Sequence, residues 1–454
     1  MRKVVFYNKF KLMNQKINYK DISIIGLGKV GTCLAVSFAS KGFKVYGYDV
    51  DEYPLRCLSE KRALYFEPYL QEFLNNYYNS ISISDLKTIV QKTDITIIIV
   101  PTPSKKNGSF SNKYLISAVR NLAKEIKNKN KFHIFVIAST VSPLSIDNQI
   151  IPIIEKFAHK KLNEDFGVIY NPQFIALGSV IKNILEPDFV LIGESSKKVG
   201  DILERIYKNL LNNNAPICRM SLVSAEIAKI AFNCFTTIKM SFTNFLGNVC
   251  EQITGANIND IMNAITNDKR IVGRFGFKYG VAYGGPCLPR DNKAFANFVR
   301  KNTHFKPLLA IDTHKINEFQ NIFLSNKILN FAKKEKIKDI IFYGISYKLN
   351  TGIIEESATI KTVKILLNHG GGDRFRMFLY DPVREAVEQA KKIFLDQVFY
   401  IENEEKLRTI IKNRYKKLIV LMNPYKEIER LKNTILSNKK KISLIDPWNF
   451  LNKN

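Results

Sequence analysis

No stretch of this 454-residue chain is apolar for long enough to cross a membrane. The most apolar, Ile95–Val100 within "DITIIIVPTP", falls far short of the roughly 20 residues a spanning helix needs. The segment before Asp21 is basic and mixed, with neither an apolar signal core nor a small-residue cleavage site. A cytoplasmic protein that engages no membrane is expected. Cysteine is sparse: Cys33, Cys57, Cys218, Cys234, Cys250 and Cys287 are never within five residues of one another, which excludes a CxxC metal or redox pair. The five histidines are scattered too, so no protein-built metal site is expected, and the thiols should be free in a reducing compartment. Acidic residues are few, 41 against 69 basic, leaving a net charge of +28. Such a charge suits an anionic partner. Here, however, lysine and asparagine are high everywhere ("IKNKNK", "KNLLNNN", "LSNKKK"), which reads as a composition bias rather than one basic face. No nucleic-acid partner is expected.

What is present points to an ordered chain of several domains. Hydrophobic residues make up 46%, which excludes a disordered chain, and the length allows two to four domains. From Asp21 the pattern alternates: "DISIIG" is a strand, "GLGKVG" a turn, and "TCLAVSFASKG" a helix stopped by Gly42. "KVYGYD" is the second strand. Further strands follow at "DITIIIVPTP", "HIFVIAST", "FGVIYNP" and "DFVLIG", with helices around Leu115 to Ile126 and after Ser142. Alternation of this kind predicts an α/β fold with a parallel, doubly wound sheet. From Ser221 the chain changes. A proline-free stretch reaches Gly247 before its first glycine, with apolar residues at helical spacing. It predicts one long helix, or two joined end to end, largely buried and suited to a dimer interface. Alternation resumes at "DIIFYGISYK", "RMFLYDP", "KLIVLMNP" and "KISLIDPWN". The organisation expected is therefore a basic extension over 1–20, a Rossmann-like domain over 21–220, a central helical domain over 221–325 and a second Rossmann-like domain over 326–454.

Three constellations carry chemistry. In Gly26-Leu27-Gly28-Lys29-Val30-Gly31, Gly26 permits a tight turn, Gly28 lets a pyrophosphate approach the backbone, and Gly31 permits close packing of helix on strand. Asp49 ends the next strand, where it can accept ribose hydroxyls and repel a 2′-phosphate. This predicts binding of NAD rather than NADP. In "YGGPCLPRD", Tyr283 to Asp291, Cys287 stands just before a helix start in which Pro289 suits the first turn. Helix amides and Arg290 would lower the thiol pKa. Gly284 and Gly285 would let a ligand close to the main chain, and Asp291 would position a water or an ammonium. Lys229 and Asn233, four apart on the long helix, share a face among apolar neighbours; such a lysine either snorkels or serves.

With these residues in order, the chain resembles the UDP-glucose/GDP-mannose dehydrogenase family of nucleotide-sugar 6-dehydrogenases, most nearly those acting on UDP-glucose. The likeness runs from Asp21 to Phe450. It includes "GLGKVG", "VPTP", "STVSP", "NPQF" followed by a glycine, "AEIAKIAFN", "DKRI", "YGGPCLPRD", "YGISYK" and "YDP". The resemblance implies a four-electron oxidation of a sugar carbon-6 alcohol to a carboxylate, reducing two NAD, on a homodimer binding a UDP-hexose. Cys287 would form a thiohemiacetal and then a thioester. Lys229 would steady the oxyanion with Asn233 beside it, while Asp291, Thr140 and Gln173 would hold the water network. Pro101, Thr102, Pro103 and Thr140 match the nicotinamide side of the NAD site. Phe174, Gly178, Tyr279, Tyr283 and Gly284 match the sugar and phosphate loops. Arg270 matches an arginine sent across the dimer, and Lys348 a lysine on the diphosphate.

Four positions depart from the family's pattern. Gln173 and Leu177 stand where two glutamates take part in acid–base and water steps, and a leucine can do neither. Glu355 and Trp448 replace two arginines that help hold phosphate-bearing ligands. UDP-N-acetylhexosamine and GDP-mannose therefore stay open as substrates, as does a homologue that binds nucleotide sugar with impaired hydrolysis.

Overall fold

The structure is a computed structural model that describes residues 19–269, 271, 276–369, 375–413, 415–437 and 441–451. Arg270 and nearly all of the N-terminal extension lie outside the described residues. The chain forms two compact units, residues 1–231 and 232–454.

The first unit is built on eight strands: β1 (Asp21–Ile25), β2 (Lys44–Tyr48), β3 (Ile81–Ile83), β4 (Ile95–Ile98), β5 (His133–Ile137), β6 (Phe166–Tyr170), β7 (Val190–Glu194) and β8 (Ile217–Ser221). Their order is β3-β2-β1-β4-β5-β6-β7-β8. The pairing is parallel except between β6 and β7, which run antiparallel. That exception departs from the parallel expectation. The connection from β6 to β7 contains only the short helix Val180–Leu185, and the chain re-enters the sheet in the opposite direction. Alternation within β5 shows why these residues form buried strands. Ile134 and Val136 face one core cluster with Ile24, Leu34 and Phe38, whereas Phe135 and Ile137 face the other with Ile98, Leu122 and Phe166. The helix after β1, Lys29–Ser40, ends as expected, with Gly42 at φ +79.

The second unit holds a five-stranded, fully parallel sheet: β9 (Asp339–Tyr343), β10 (Arg376–Tyr380), β11 (Phe399–Ile401), β12 (Lys417–Leu421) and β13 (Ile442–Ile445). The order is β11-β10-β9-β12-β13, the same 3-2-1-4-5 winding that opens the first sheet. Ile340 and Phe342 of β9 enter one cluster, Ile341 and Tyr343 the other. Ahead of this sheet come the helices Ile258–Thr266, Leu288–Asn302 and Leu308–Lys334.

One continuous helix, Leu222–Cys250, follows β8 directly and spans the whole proline-free stretch. Its burial departs from expectation. Phe232, Phe235, Phe242, Phe245 and Val249 are exposed, Phe235 by 62%. The covered face instead carries Asn233, Thr237, Ser241 and Asn244. Helical spacing fixes which residues share a face, not which face turns inward. These polar side chains turn inward because each has a buried partner, such as Ser241 on the carbonyl of Thr313 at 3.1 Å. Among the described residues, no helix is long and apolar enough to cross a membrane, and no cluster of potential metal ligands occurs.

Candidate active site

The first unit presents the glycine turn. A Cβ on Gly26 (φ +99) would lie 2.2 Å from the carbonyl oxygen of Ile99, and one on Gly31 would lie 1.8 Å from that of Gly26. Only glycine lets the helix pack this close to the strands. Gly28 is different, since nothing lies within 4 Å of its Cβ position. It is the N-cap of Lys29–Ser40, and no side chain caps the helix there. An open surface at an uncapped helix start fits a pyrophosphate. Asp49 accepts the N–H of Leu27 at 2.6 Å and that of Asp51 at 3.0 Å, one on each oxygen, and each oxygen keeps a lone pair for a ribose hydroxyl. Lys29 sits 5.1 Å from the Tyr65 ring centroid, and Val30 packs against the core. These residues fit NAD.

The loops after β4 and β5 are stitched together. The Thr102 hydroxyl donates to the carbonyl of Thr140 at 2.6 Å, while Ser139 Oγ accepts from Val100 N–H (2.9 Å) and donates to Val100 C=O (2.8 Å). Thr102 is buried by this arrangement, and the flanking Pro101 and Pro103 are exposed. In the loop after β6, Gly178 (φ +85) donates its N–H to the buried Glu67 at 2.7 Å, as does Val180. The Gln173 side chain turns back on Asn171 and Tyr207. Leu177 packs against the core, which gives that position an apolar role. Lys229, only 7% exposed, does not snorkel. Its ammonium donates to the carbonyl of Gln173 at 2.8 Å and lies 4.1 Å from the Phe174 ring centroid.

In the second unit, Cys287 is the exposed N-cap of the helix Leu288–Asn302, with proline in the first turn. The first helical bond runs from Asp291 N–H to the Cys287 carbonyl at 2.8 Å. Asp291 is fully buried, and its two oxygens take the Asn233 amide at 2.6 Å and the Arg290 guanidinium at 2.9 Å. Burial works against the charge of Arg290, but Asp291 and then Cys287 outweigh it and push its pKa up. Burial, with Asp291 adding to it, pushes the nearby Cys234 thiol up to about 12. A thiol held protonated is a poor nucleophile.

The segment from Tyr279 to Gly285 has no regular structure yet is largely buried. Its backbone is paired by side-chain amides, which sequence reasoning missed. Asn317 both donates to the Tyr283 carbonyl and accepts its N–H, each at 2.9 Å. Gln320 donates to Gly280 C=O at 2.8 Å, and Asn244 accepts Gly280 N–H at 3.2 Å. Asn292 reaches the Tyr283 hydroxyl at 3.4 Å, and Tyr279 donates to Glu251 at 2.7 Å. The signal was available: Asn317, Gln320 and Asn321 sit at helical spacing within a buried helix face.

The space beside the two glycines is filled by protein. A Cβ on Gly284 would meet the carbonyl of Glu356 at 2.3 Å, and one on Gly285 (φ +84) would meet the Tyr347 ring at 2.5 Å. On their Cβ side these glycines permit close packing of protein. Lys348 is half-buried, 6.0 Å from the Tyr347 ring centroid. Trp448 donates to the Met422 carbonyl at 3.0 Å and fills the space beside Gly280.

Known proteins resemble this chain over most of its length. Residues 20–211 match the NAD binding domain of the UDP-glucose/GDP-mannose dehydrogenase family, and residues 223–319 match its central domain. GDP-mannose 6-dehydrogenase of Pseudomonas aeruginosa is 30% identical over 380 residues, 83% of this chain and 84% of that one. UDP-glucose 6-dehydrogenase of Bacillus subtilis is 29% identical over 84% of this chain and 79% of its own. A solved UDP-glucose dehydrogenase from Pyrobaculum islandicum superposes with a TM-score of 0.80 at 28% identity, covering 90% of this chain and 91% of that one. A GDP-mannose dehydrogenase ternary complex from Pseudomonas aeruginosa gives 0.53 at 28% identity, covering 94% and 96%.

Proposed function

The chain belongs to the UDP-glucose/GDP-mannose dehydrogenase family, and from that premise we propose that it oxidises UDP-glucose to UDP-glucuronate with two equivalents of NAD. The observation that carries the reading is an exposed Cys287 at a helix start, one turn from a buried Asp291 held by Asn233 and Arg290.

NAD, when bound, accepts hydride. Gly26 to Gly31 hold its pyrophosphate, Asp49 its ribose, and Pro101, Thr102, Pro103 and Thr140 its nicotinamide side. The carbon-6 alcohol loses a hydride from carbon and a proton from oxygen, leaving an aldehyde. Lys229 steadies the oxygen as charge develops, with Asn233 and Asp291 fixing the water beside it. The sulfur of Cys287 adds to the aldehyde carbon, and the thiohemiacetal restores a hydrogen that can leave as hydride. Loss of that hydride and of the hydroxyl proton gives a thioester. Water adds, the thiolate leaves, and the carboxylate is released. Phe174, Gly178, Tyr279, Tyr283 and Gly284 line the nucleotide sugar, while Lys348 meets its diphosphate. The relatives include both GDP-mannose and UDP-glucose 6-dehydrogenases, so the substrate panel below tests the choice of UDP-glucose.

A second copy of this chain covers the exposed face of the long helix, where Phe232, Phe235, Phe242, Phe245 and Val249 are exposed. Light scattering of Phe235→Glu should then report monomer where the wild type reports dimer.

A second reading keeps the binding and the hydride steps but slows hydrolysis. It draws on Gln173 turned to Asn171 and Tyr207, and on Leu177 packed in the core. One assay separates the two: NADH formation with UDP-glucose, UDP-galactose, UDP-N-acetyl sugars and GDP-mannose. Sustained turnover supports the first reading. A burst limited to two NADH per chain, both hydride steps without release of the thioester, supports the second, and no NADH from folded protein with any of the sugars sinks both.

A further inference from the structure

The first turns of the helix Leu222–Cys250 bear two charged side chains among apolar neighbours, Glu226 and Lys229. Glu226 is completely buried and has no part in the chemistry above. One carboxyl oxygen accepts the N–H of Leu144 at 2.8 Å and the other that of Ile146 at 2.9 Å. Ile146 opens the helical stretch Ile146–Ala158 and Leu144 stands two residues before it, so neither N–H has a partner within that helix. Leu144 has φ +68, a conformation that an L-residue keeps only where its surroundings hold it.

The loop held in this way is the one that carries Thr140. Four residues before Leu144, the Thr140 carbonyl takes the Thr102 hydroxyl at 2.6 Å. One turn beyond Glu226, Lys229 fastens to the Gln173 carbonyl at 2.8 Å. A single rigid turn of helix therefore ties the loop after β5 to the loop after β6. A carboxyl is the side chain that can do this, since it offers two acceptors to two adjacent main-chain donors. A glutamine offers one acceptor and sets its NH2 against the other N–H. A leucine offers none.

We propose that Glu226 is a positioning residue, whose buried carboxyl clamps the Thr140 loop in register with the turn of helix that carries Lys229. The role assigned to those two residues rests on the dehydrogenase reading; the clamp does not. Two measurements on Glu226→Ala and Glu226→Gln therefore test it side by side. The first is steady-state kinetics with NAD and the nucleotide sugar. The second is hydrogen exchange of peptides covering residues 140–150 and 171–178, with a melting curve for each variant.

In Glu226→Ala, kcat should fall by about 10- to 100-fold while KM moves by less than about threefold. Exchange should rise over 140–150 and stay unchanged in β2. Glu226→Gln, which keeps one acceptor, should lie between wild type and alanine in both readouts, and it decides the matter if the alanine variant does not fold. A purely structural role would lower the melting temperature but leave kcat per folded enzyme intact; that result overturns the proposal. If the wild type turns over no nucleotide sugar, the functional reading fails on its own and exchange decides the clamp: a rise over 140–150 sustains it, and wild-type protection overturns it.

Discussion

Gly26 and Gly344 occupy the same place in their two sheets, the residue after the first strand, at φ +99 and φ +102. Each donates its N–H to the last residue of the second strand, Tyr48 or Tyr380, at 2.8 Å. The next N–H, from Leu27 or Ile345, goes to an aspartate one residue further on, Asp49 at 2.6 Å or Asp381 at 2.7 Å. There the likeness ends. After Gly28 a helix begins at once with no side-chain cap, and Asp49 stays partly exposed. In the second sheet the helix waits until Ala358 and is capped by Ser357. Asp381 is buried and also takes Ser346 N–H, Ser346 Oγ, Val383 N–H and the Tyr425 hydroxyl. The turn alone does not make a dinucleotide site. What matters is which donors and acceptors the protein leaves unpaired.

The sharpest way to break this comparison is to remove each aspartate's charge. Asp49→Asn should raise the NAD dissociation constant by about 10- to 100-fold in calorimetry, the loss of a charge-assisted hydrogen bond. Asp381→Asn should leave NAD affinity within about twofold, because its acceptors are already spent on protein. An equal loss in both would end the distinction.

A second test sets one buried carboxyl against another. Burial pushes Asp381 up, against the pull of the Ser346 and Ile345 amides. Burial pushes Glu226 up to about 7, with Asp147 adding to it and the amides of Ile146 and Leu144 opposing it. A pKa raised on folding means the folded chain binds the proton more tightly. The stability this lends is complete below the unfolded value and is lost as pH rises through about 7. Wild type minus Glu226→Gln should therefore lose about 2–3 kcal/mol of unfolding free energy between pH 5 and pH 8. A flat difference in urea titrations would contradict the burial argument. The smallest effect belongs to the cap. Ser357→Ala should cost about 1 kcal/mol in stability and leave NAD affinity unchanged.

Much of this architecture is legible in the sequence. The strands of both sheets announce themselves by β-branched runs, the first glycine turn by its spacing, and Cys287 by the proline and charged residues of a helix start. These signals are local. What escapes is set by distant partners. Glu226 lies 80 residues from Ile146 in sequence, and Asn317 lies 34 from Tyr283. The long helix is legible in extent but not in facing, because its polar face is the one with partners inside. Gly284 and Gly285 pack on their Cβ side against Glu356 and Tyr347, far along the chain, a contact that their spacing does not reveal.

The most direct test of the chemistry is to quench the enzyme during turnover with NAD and UDP-glucose and weigh the peptide that contains Cys287. The account predicts an acyl thioester of the sugar's carbon 6 on that sulfur, two NADH for each carboxylate formed, and no carboxylate from Cys287→Ser. A serine variant that makes the acid at the wild-type rate, with no adduct on the native peptide, would contradict it.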